Sequence, residues 1–366
     1  MTGLPLLDLT GTAHERGLHH GRALATQIRD NIETYLRRFA AGGLDRDTVL
    51  AEGELWAPRI ARFSARYAEE MAGVAEGAGL AIGPVAMLNA RYELAYSLFA
   101  REARAPDLAE GCTAFGALPE RVRGGTTLIG QNWDWLARIR GRLAVLRVRP
   151  AEDPAYLCLT QAGIVGGMIG LNETGLGLCV NGLTTDQDGV DTEAKPFHVR
   201  VYEILRATTF AQALTVILGS DRVCSTNFLL GHADGEIIDI EAAPRRANTL
   251  QPTAGLLTHG NHFETTDGFE STMEKLFPST LYRVPRLARL LRRHDGTLDL
   301  QVIQGALTDH FSHPFAICRH EDPDAPEDMR TITVTSVILA LADRTLYATD
   351  GPPCQNPYHT YTLDPH

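Results

Sequence analysis

The residue best equipped for covalent chemistry in this sequence is the cysteine in the run EGCTAF, Glu110 to Phe115. An ordinary thiol ionises near pH ~8.5, and its thiolate is a strong nucleophile. The preceding Gly111 takes steric bulk away from the carbonyl that such a thiol would attack, and glycine tolerates a strained local backbone. The pair stands where a helix-patterned stretch gives way to strand-like runs, a placement that suits self-cleavage at Gly111–Cys112. The usual fate of a cysteine is to be a small buried hydrophobe, and Cys158 and Cys179 fit it, since each lies inside an apolar run.

Other chemical signals are weaker. The six cysteines, at 112, 158, 179, 224, 318 and 354, contain no CxxC pair, which predicts free thiols in a reducing compartment with no zinc knuckle or redox pair. His310 with His313, and His259 with His262, have loose HxxH spacing but lack an HExxH helix or a cysteine close in sequence, so no metal is expected. GIVGGMIG (163–170) lacks GxGxxG spacing and a following helix, and predicts a turn or bulge instead of a phosphate cradle. There is no GxSxG elbow.

The elements that must position Cys112 fall into two groups. Before it, apolar residues recur at three- and four-residue steps, predicting helices over 14–39, over 47–76 with a break at Pro58, and over 84–99. The polar AREARAPDLAEG (100–111) predicts an exposed loop. After Cys112 come short runs rich in β-branched residues, with tight turns at Asn172–Gly175, Asp234–Gly235 and Ala342–Asp343. Helices interrupt them at 198–218, 279–293 and 298–309. Hairpin-linked strands flanked by helices predict an α+β fold, a four-layer αββα sandwich of two antiparallel sheets between helix layers. The expected organisation is one structural domain with a helical segment, 1–111, and a sheet-bearing segment, 112–366.

Composition narrows the function classes. At 366 residues and 44% hydrophobic content the chain can bury a sizeable core, and a net charge of -11 gives no footprint for a nucleic-acid backbone. The N-terminus lacks a signal-peptide pattern and no run approaches 18 apolar residues, so no membrane association and a cytoplasmic location are expected.

EGCTAF followed by GQNWDW resembles the processing junction of the acyl-coenzyme A:6-aminopenicillanate acyltransferase family, the N-terminal nucleophile hydrolases of peptidase family C45. HERGLHHG, GMIGLNETGLGLCVNGL, STNFLLGHADGEIIDIE, LTHGNHF, STLYRVPRLARLL and TSVILALADRTLYATDGPPC are similar to that family's blocks in the same order. The resemblance implies that the chain cuts itself at Gly111–Cys112, that the new α-amine of Cys112 serves as general base for its own thiol, and that a thioacyl enzyme follows. It implies an acidic partner in Asp134, which would hold the α-amine or contact a bound amine. Asn227 would be the oxyanion donor. Arg283, with Arg286 as a competing match, would tune the thiol or receive a substrate carboxylate, and Asn261 and His262 would line the pocket. The expected activity is hydrolysis of a linear carboxamide of a small N-acylated molecule, without a cofactor. Acyl transfer from a thioester or amide to an amine such as 6-aminopenicillanate is the alternative, and a non-catalytic binding protein of the same fold is the second. The two segments are expected to stay associated after cleavage. A homo-oligomer is left open.

Overall fold

The computed structural model describes residues 3–101, 111–294 and 297–364. The chain opens on strand β1 (Leu6–Thr10), in which Leu7 and Leu9 face inward and their neighbours outward, as a period of two requires. Six helices follow: α1 (Ala13–Ala23), α2 (Ala25–Ala41), α3 (Arg46–Phe63), α4 (Ala65–Ala78), α5 (Ile82–Asn89) and α6 (Arg91–Arg101). Next come strands β2 (Gly111–Ala117), β3 (Leu128–Leu136), β4 (Leu143–Arg149), β5 (Tyr156–Gln161), β6 (Ile169–Asn172) and β7 (Leu176–Gly182). Helices α7 (Phe197–Leu205) and α8 (Phe210–Leu218) lead to β8 (Thr226–His232), β9 (Glu236–Ala242), β10 (Ala247–Leu250) and β11 (Leu256–His259). Helices α9 (Met273–Leu276), α10 (Thr280–Arg292) and α11 (Leu300–Leu307) precede β12 (Thr331–Ala340), β13 (Thr345–Ala348) and β14 (His359–Thr362).

The strands form two sheets, ordered β1-β4-β5-β6-β7-β8-β9-β10 and β11-β2-β3-β12-β13-β14. The second is antiparallel throughout. The first is mixed, because β1 runs parallel to β4, which corrects the expectation of two antiparallel sheets. Inner faces meet across β2, β3, β7 and β8. Leu287, Leu291, Ile303 and Leu307 of α10 and α11 cover the outer face of the six-stranded sheet against Phe115, Leu128 and Ile338. The N-terminal helices and α7 cover the other sheet, with Ile28, Leu88 and Tyr202 in one core with Leu157 and Leu159. The result is the four-layer αββα sandwich.

Several predicted helices are divided, and the breaks have local causes. The 14–39 helix breaks at Leu24, whose φ of -119° leaves the helical region. Pro58 lies inside an unbroken α3; the break comes at Ser64, whose side chain accepts the Tyr67 N–H as the cap of α4. The 84–99 helix divides at Ala90. The 198–218 helix divides before Thr209, which caps α8 through the Gln212 N–H. HERGLHHG has a packing reason: a Cβ on Gly17 would fall 1.9 Å from the Glu70 carbonyl oxygen, so α1 and α4 approach at near backbone contact. Most of the predicted loop 100–111 lies outside the described residues.

The segment before Gly111 is stitched into the rest. Beyond the β1–β4 pairing, Asn31 donates to the Ala162 carbonyl at 2.9 Å, Tyr35 donates to Gln161 Oε1 at 2.9 Å, and Trp135 Nε1 donates to Tyr35 at 2.7 Å.

Candidate active site

β2 and β3 form a hairpin in which Gly111 pairs with Asp134 and Cys112 with Trp133. Paired residues in a ladder share a face, and successive residues alternate. Cys112 and Trp133 therefore face one side of the sheet, and Gly111, Thr113, Asn132 and Asp134 the other.

On the Cys112 side is a pocket. Its apolar wall includes Tyr92 and Tyr96 of α6, Trp133, Met168, Val180 and Phe197. Its polar wall is Asn181, Ser225 and Thr226, and no charged side chain lines it among the described residues. Tyr92 and Phe197 meet edge to face, centroids 4.9 Å apart, which fixes that wall. Asn181 is buried, and neither its Oδ1 nor its Nδ2 has a hydrogen-bond partner. An unsatisfied buried carboxamide costs about 1–3 kcal/mol, so it marks a place where a partner is expected.

On the opposite side is a buried charged cluster. Asp134 is fully buried; Thr333 donates to its Oδ1 at 2.6 Å and Arg319 Nε donates to its Oδ2 at 3.3 Å. Burial raises its carboxyl to about 6, against the opposing pull of Arg319 and Arg283. This pair explains the glycine: a Cβ at position 111 would lie 2.8 Å from Asp134 Oδ2 and 2.9 Å from Arg319 Nε. Asp134 therefore reaches the Gly111–Cys112 peptide from behind the strand, not the thiol in front.

Arg283 and Asn261 clamp the backbone of Cys112. Arg283 Nη1 donates to the Cys112 carbonyl at 2.6 Å and to Thr113 Oγ1 at 2.5 Å, and its Nη2 donates to Asn261 Oδ1 at 2.9 Å. Asn261 Oδ1 also accepts the Cys112 N–H at 2.7 Å. Arg283 is fully buried, and burial, then its neighbour Arg319, lowers it to about 10, which leaves it cationic at neutral pH. Arg286 points away and pairs with Asp309 at 2.5 Å. Of the two arginines, Arg283 is the one at the site. Its terminal nitrogens are committed to the protein, so it is not placed to receive a substrate carboxylate.

Two expected residues are not among those lining the pocket, although Asn227 pairs directly with Asn181 in the β7–β8 ladder and shares its face. Asn227 does not line the pocket; its Nδ2 donates to Asp239 Oδ1 at 2.6 Å, beside a buried His259–Glu241 contact of 3.0 Å. His262 is turned toward Thr280 Oγ1 at 2.8 Å and Glu264 Oε1 at 3.5 Å, and is absent from the pocket wall. Sequence reasoning missed Arg319, Thr333 and Asn181. Asn181 had a findable signal, an asparagine ending the apolar run of β7. Arg319 and Thr333 had none, because only the fold brings them to Asp134.

A family model described as acyl-coenzyme A:6-aminopenicillanic acid acyl-transferase matches residues 122–353. The chain belongs to this family. The match spans Asp134, Asn181, Asn227, Asn261, Arg283 and Arg319, and begins after Cys112. Among curated relatives of this acyltransferase-family chain, the acyl-coenzyme A:6-aminopenicillanic-acid-acyltransferase 40 kDa form of Emericella nidulans is 28% identical over 84% of this chain and 83% of its own. Protein dcd1A of Dictyostelium discoideum is 23% identical over 62% of this chain and 55% of its own. Similar solved structures include a mutant conjugated bile acid hydrolase of Clostridium perfringens, with TM-score 0.47, 13% identity, and 69% of this chain and 97% of that one covered. A Caenorhabditis elegans N-acylethanolamine-hydrolyzing acid amidase ortholog has TM-score 0.46, 13% identity, and 63% and 93% covered. The family is one of acyltransferases, and the protein is an enzyme. No described helix is long and apolar enough to cross a membrane.

Proposed function

We propose that the chain is a self-processing cysteine amidohydrolase that cleaves linear N-acyl amides carrying an apolar acyl group. The observation that carries this reading is the pocket: Cys112 opens into an aromatic and aliphatic wall with one unsatisfied carboxamide, Asn181, and, among the described residues, no charged side chain. Apolar walls with few polar groups suit an acyl chain, and an unsatisfied donor suits the oxygen of the reacting carbonyl.

In processing, the Cys112 sulfur adds to the Gly111 carbonyl carbon, the Gly111–Cys112 C–N bond breaks, and the thiol proton passes to the departing nitrogen. Water then hydrolyses the resulting thioester, giving the Gly111 carboxylate and a restored thiol. The freed α-amine stays where Asn261 Oδ1 now takes the Cys112 N–H. With an ordinary α-amine pKa near ~8 it accepts the thiol proton during turnover. The sulfur takes the acyl group from the substrate, the amine product leaves with that proton, and water releases the acid. Asn181 donates to the oxyanion in this scheme, Asp134 and Arg319 hold the cleavage peptide, and Arg283 fixes the strand. The segments before and after the cut remain associated, because Tyr92 and Tyr96 precede the cut and line the same pocket as Cys112.

A second reading has its own support: the Emericella relative is named as an acyltransferase using acyl-coenzyme A and 6-aminopenicillanic acid. In that case an amine replaces water at the last step. The test is mass spectrometry of the denatured protein, which should show chains 1–111 and 112–366, with Cys112→Ala uncut. The processed enzyme is then given N-acyl amides and acyl thioesters, with and without added amine. Free acid from an amide supports hydrolysis. New amide from a thioester with negligible acid would make the enzyme a transferase, and wild type that stays uncut yet turns over would end the self-processing mechanism.

A further inference from the structure

Outside the pocket, His310, Cys318, His320 and Cys354 converge, with one ligand atom of each within 4.8 Å of every other. His310 Nε2 lies 3.1 Å from His320 Nε2, and His320 Nε2 lies 3.8 Å from Cys318 Sγ and 3.4 Å from Cys354 Sγ. The two sulfurs are 3.5 Å apart and unbonded. We propose that these four side chains form a tetrahedral His2Cys2 zinc site.

Four of the six edges of the cluster fit the metal. Zn–S near ~2.3 Å and Zn–N near ~2.0–2.1 Å in a tetrahedron set edges of about 3.8 Å between sulfurs, about 3.5 Å between sulfur and nitrogen, and about 3.3 Å between nitrogens. The four measured edges lie within about 0.3 Å of those values. Hydrogen bonding alone does not account for the cluster. His320 Nε2 has one proton or one lone pair to offer, yet three polar atoms of His310, Cys318 and Cys354 crowd it. A cation among them gives every one of those atoms a partner. Two thiolates and two neutral imidazoles also cancel the charge of Zn²⁺, which suits a site that is buried at Cys318 and open at His310 and Cys354. All four positions are filled by protein, so the site is structural, without an open coordination position.

The site would tie the segment after β13, through Cys354, to the loop that carries Arg319. Arg319 stands between the ligands Cys318 and His320, donates its backbone N–H to Thr333 Oγ1 at 2.8 Å, and pairs with Asp134. Zinc is thus a positioning device for the guanidinium behind the cleavage peptide.

The test uses the full chain, purified without a polyhistidine tag from zinc-supplemented culture. Elemental analysis should find one zinc per chain. Cys354→Ser and His310→Ala, both at the surface and so tolerable to the fold, should each lose it. Cys179→Ser, a buried thiol outside the cluster, should keep it. Cobalt added to reduced, metal-free protein should give thiolate-to-cobalt charge-transfer absorption that both cluster variants lack, and chelation should lower Tm in wild type but not in Cys354→Ser. Zinc retained in full by Cys354→Ser would overturn the proposal. So would reduced wild type that takes up neither zinc nor cobalt, and so would wild type isolated with a Cys318–Cys354 disulfide whose reduction does not restore metal uptake.

Discussion

Replacing Gly111 with alanine adds one methyl group at the point where the Asp134–Arg319 pair closes on the cleavage peptide. Gly111 opens strand β2 and pairs with Asp134, and what opposes alanine there is contact. Its Cβ would stand 2.8 Å from Asp134 Oδ2 and 2.9 Å from both Arg319 Nε and Nη2, whereas ordinary contact begins near 3.4 Å. Something must shift by about 0.5 Å. The ion pair is held by Thr333 on one side and by Ser279 and Thr331 on the other, so it yields poorly. Overpacking of this kind costs about 1–3 kcal/mol. Residue 111 is still held in the transition state and is crowded further as its carbonyl carbon becomes tetrahedral, so a cost of that size carried there slows processing about 5- to 150-fold. Position 111 becomes a free chain end once the bond is cut, so the clash is relieved and turnover per processed site should match wild type. The assay follows intact and cut chain by mass spectrometry over time and relates activity to the cut fraction. Wild-type processing speed would refute the reasoning, and so would processed Gly111→Ala enzyme with equally reduced turnover.

Other expectations follow from the same geometry. Asn181→Ala should lower kcat by about 10²- to 10³-fold with Tm little changed, the usual effect of losing one oxyanion donor. Asn227→Ala, which strips Asp239 of its donor, should instead lower stability by about 1–3 kcal/mol with kcat within about tenfold of wild type. The reverse pattern in kcat and denaturation measurements would return the donor role to Asn227. Burial raises the Asp188 carboxyl to about 7, above its unfolded value of ~3.9, despite the Thr185 and Ser225 N–H bonds it accepts. A group raised in this sense binds more protons when folded, so its contribution to stability is greatest in acid and falls as pH rises from about 4 to about 7. Asp188→Asn should show a smaller fall in Tm than wild type over that window, and a steeper fall would refute the assignment.

How much of this was legible in the sequence depended on distance along the chain. Cys112 and Asp134 belong to neighbouring strands of one hairpin, so their partnership follows from a local pattern. The αββα layering was legible because alternation and turn signals survive in single strands. β1 was missed because its run is short and pairs with a strand far away in the chain. The helix breaks were missed because Ser64 and Thr209, as caps, end helices more firmly than Pro58 bends one. Asn227 was placed in the site on resemblance, but its carboxamide points to Asp239. The His310, Cys318, His320 and Cys354 cluster defeats any spacing rule: metal motifs are read from cysteines and histidines close in sequence, while Cys354 arrives through a separate strand pair.

The two faces of the β2–β3 hairpin explain why the substrate reading favours an uncharged acyl group. An arginine near a nucleophile suggests a receptor for an anionic substrate, and Arg283 carries the charge for that role. Arg283 of α10, however, bonds Thr113, which the ladder puts on the face away from the pocket, and it also holds the Cys112 carbonyl and Asn261. Arg319 is likewise committed to Asp134. The pocket receives no charged side chain from either, and its aromatic wall is supplied partly by Tyr92 and Tyr96, which precede Cys112 in the chain. Charge therefore orders the backbone around Gly111 and Cys112, and apolar side chains from both sides of Cys112 in the chain line the pocket. A carboxylate on the leaving amine gains nothing from Arg283, so any preference for N-acyl amino acids must come from groups other than Arg283 and the described pocket wall.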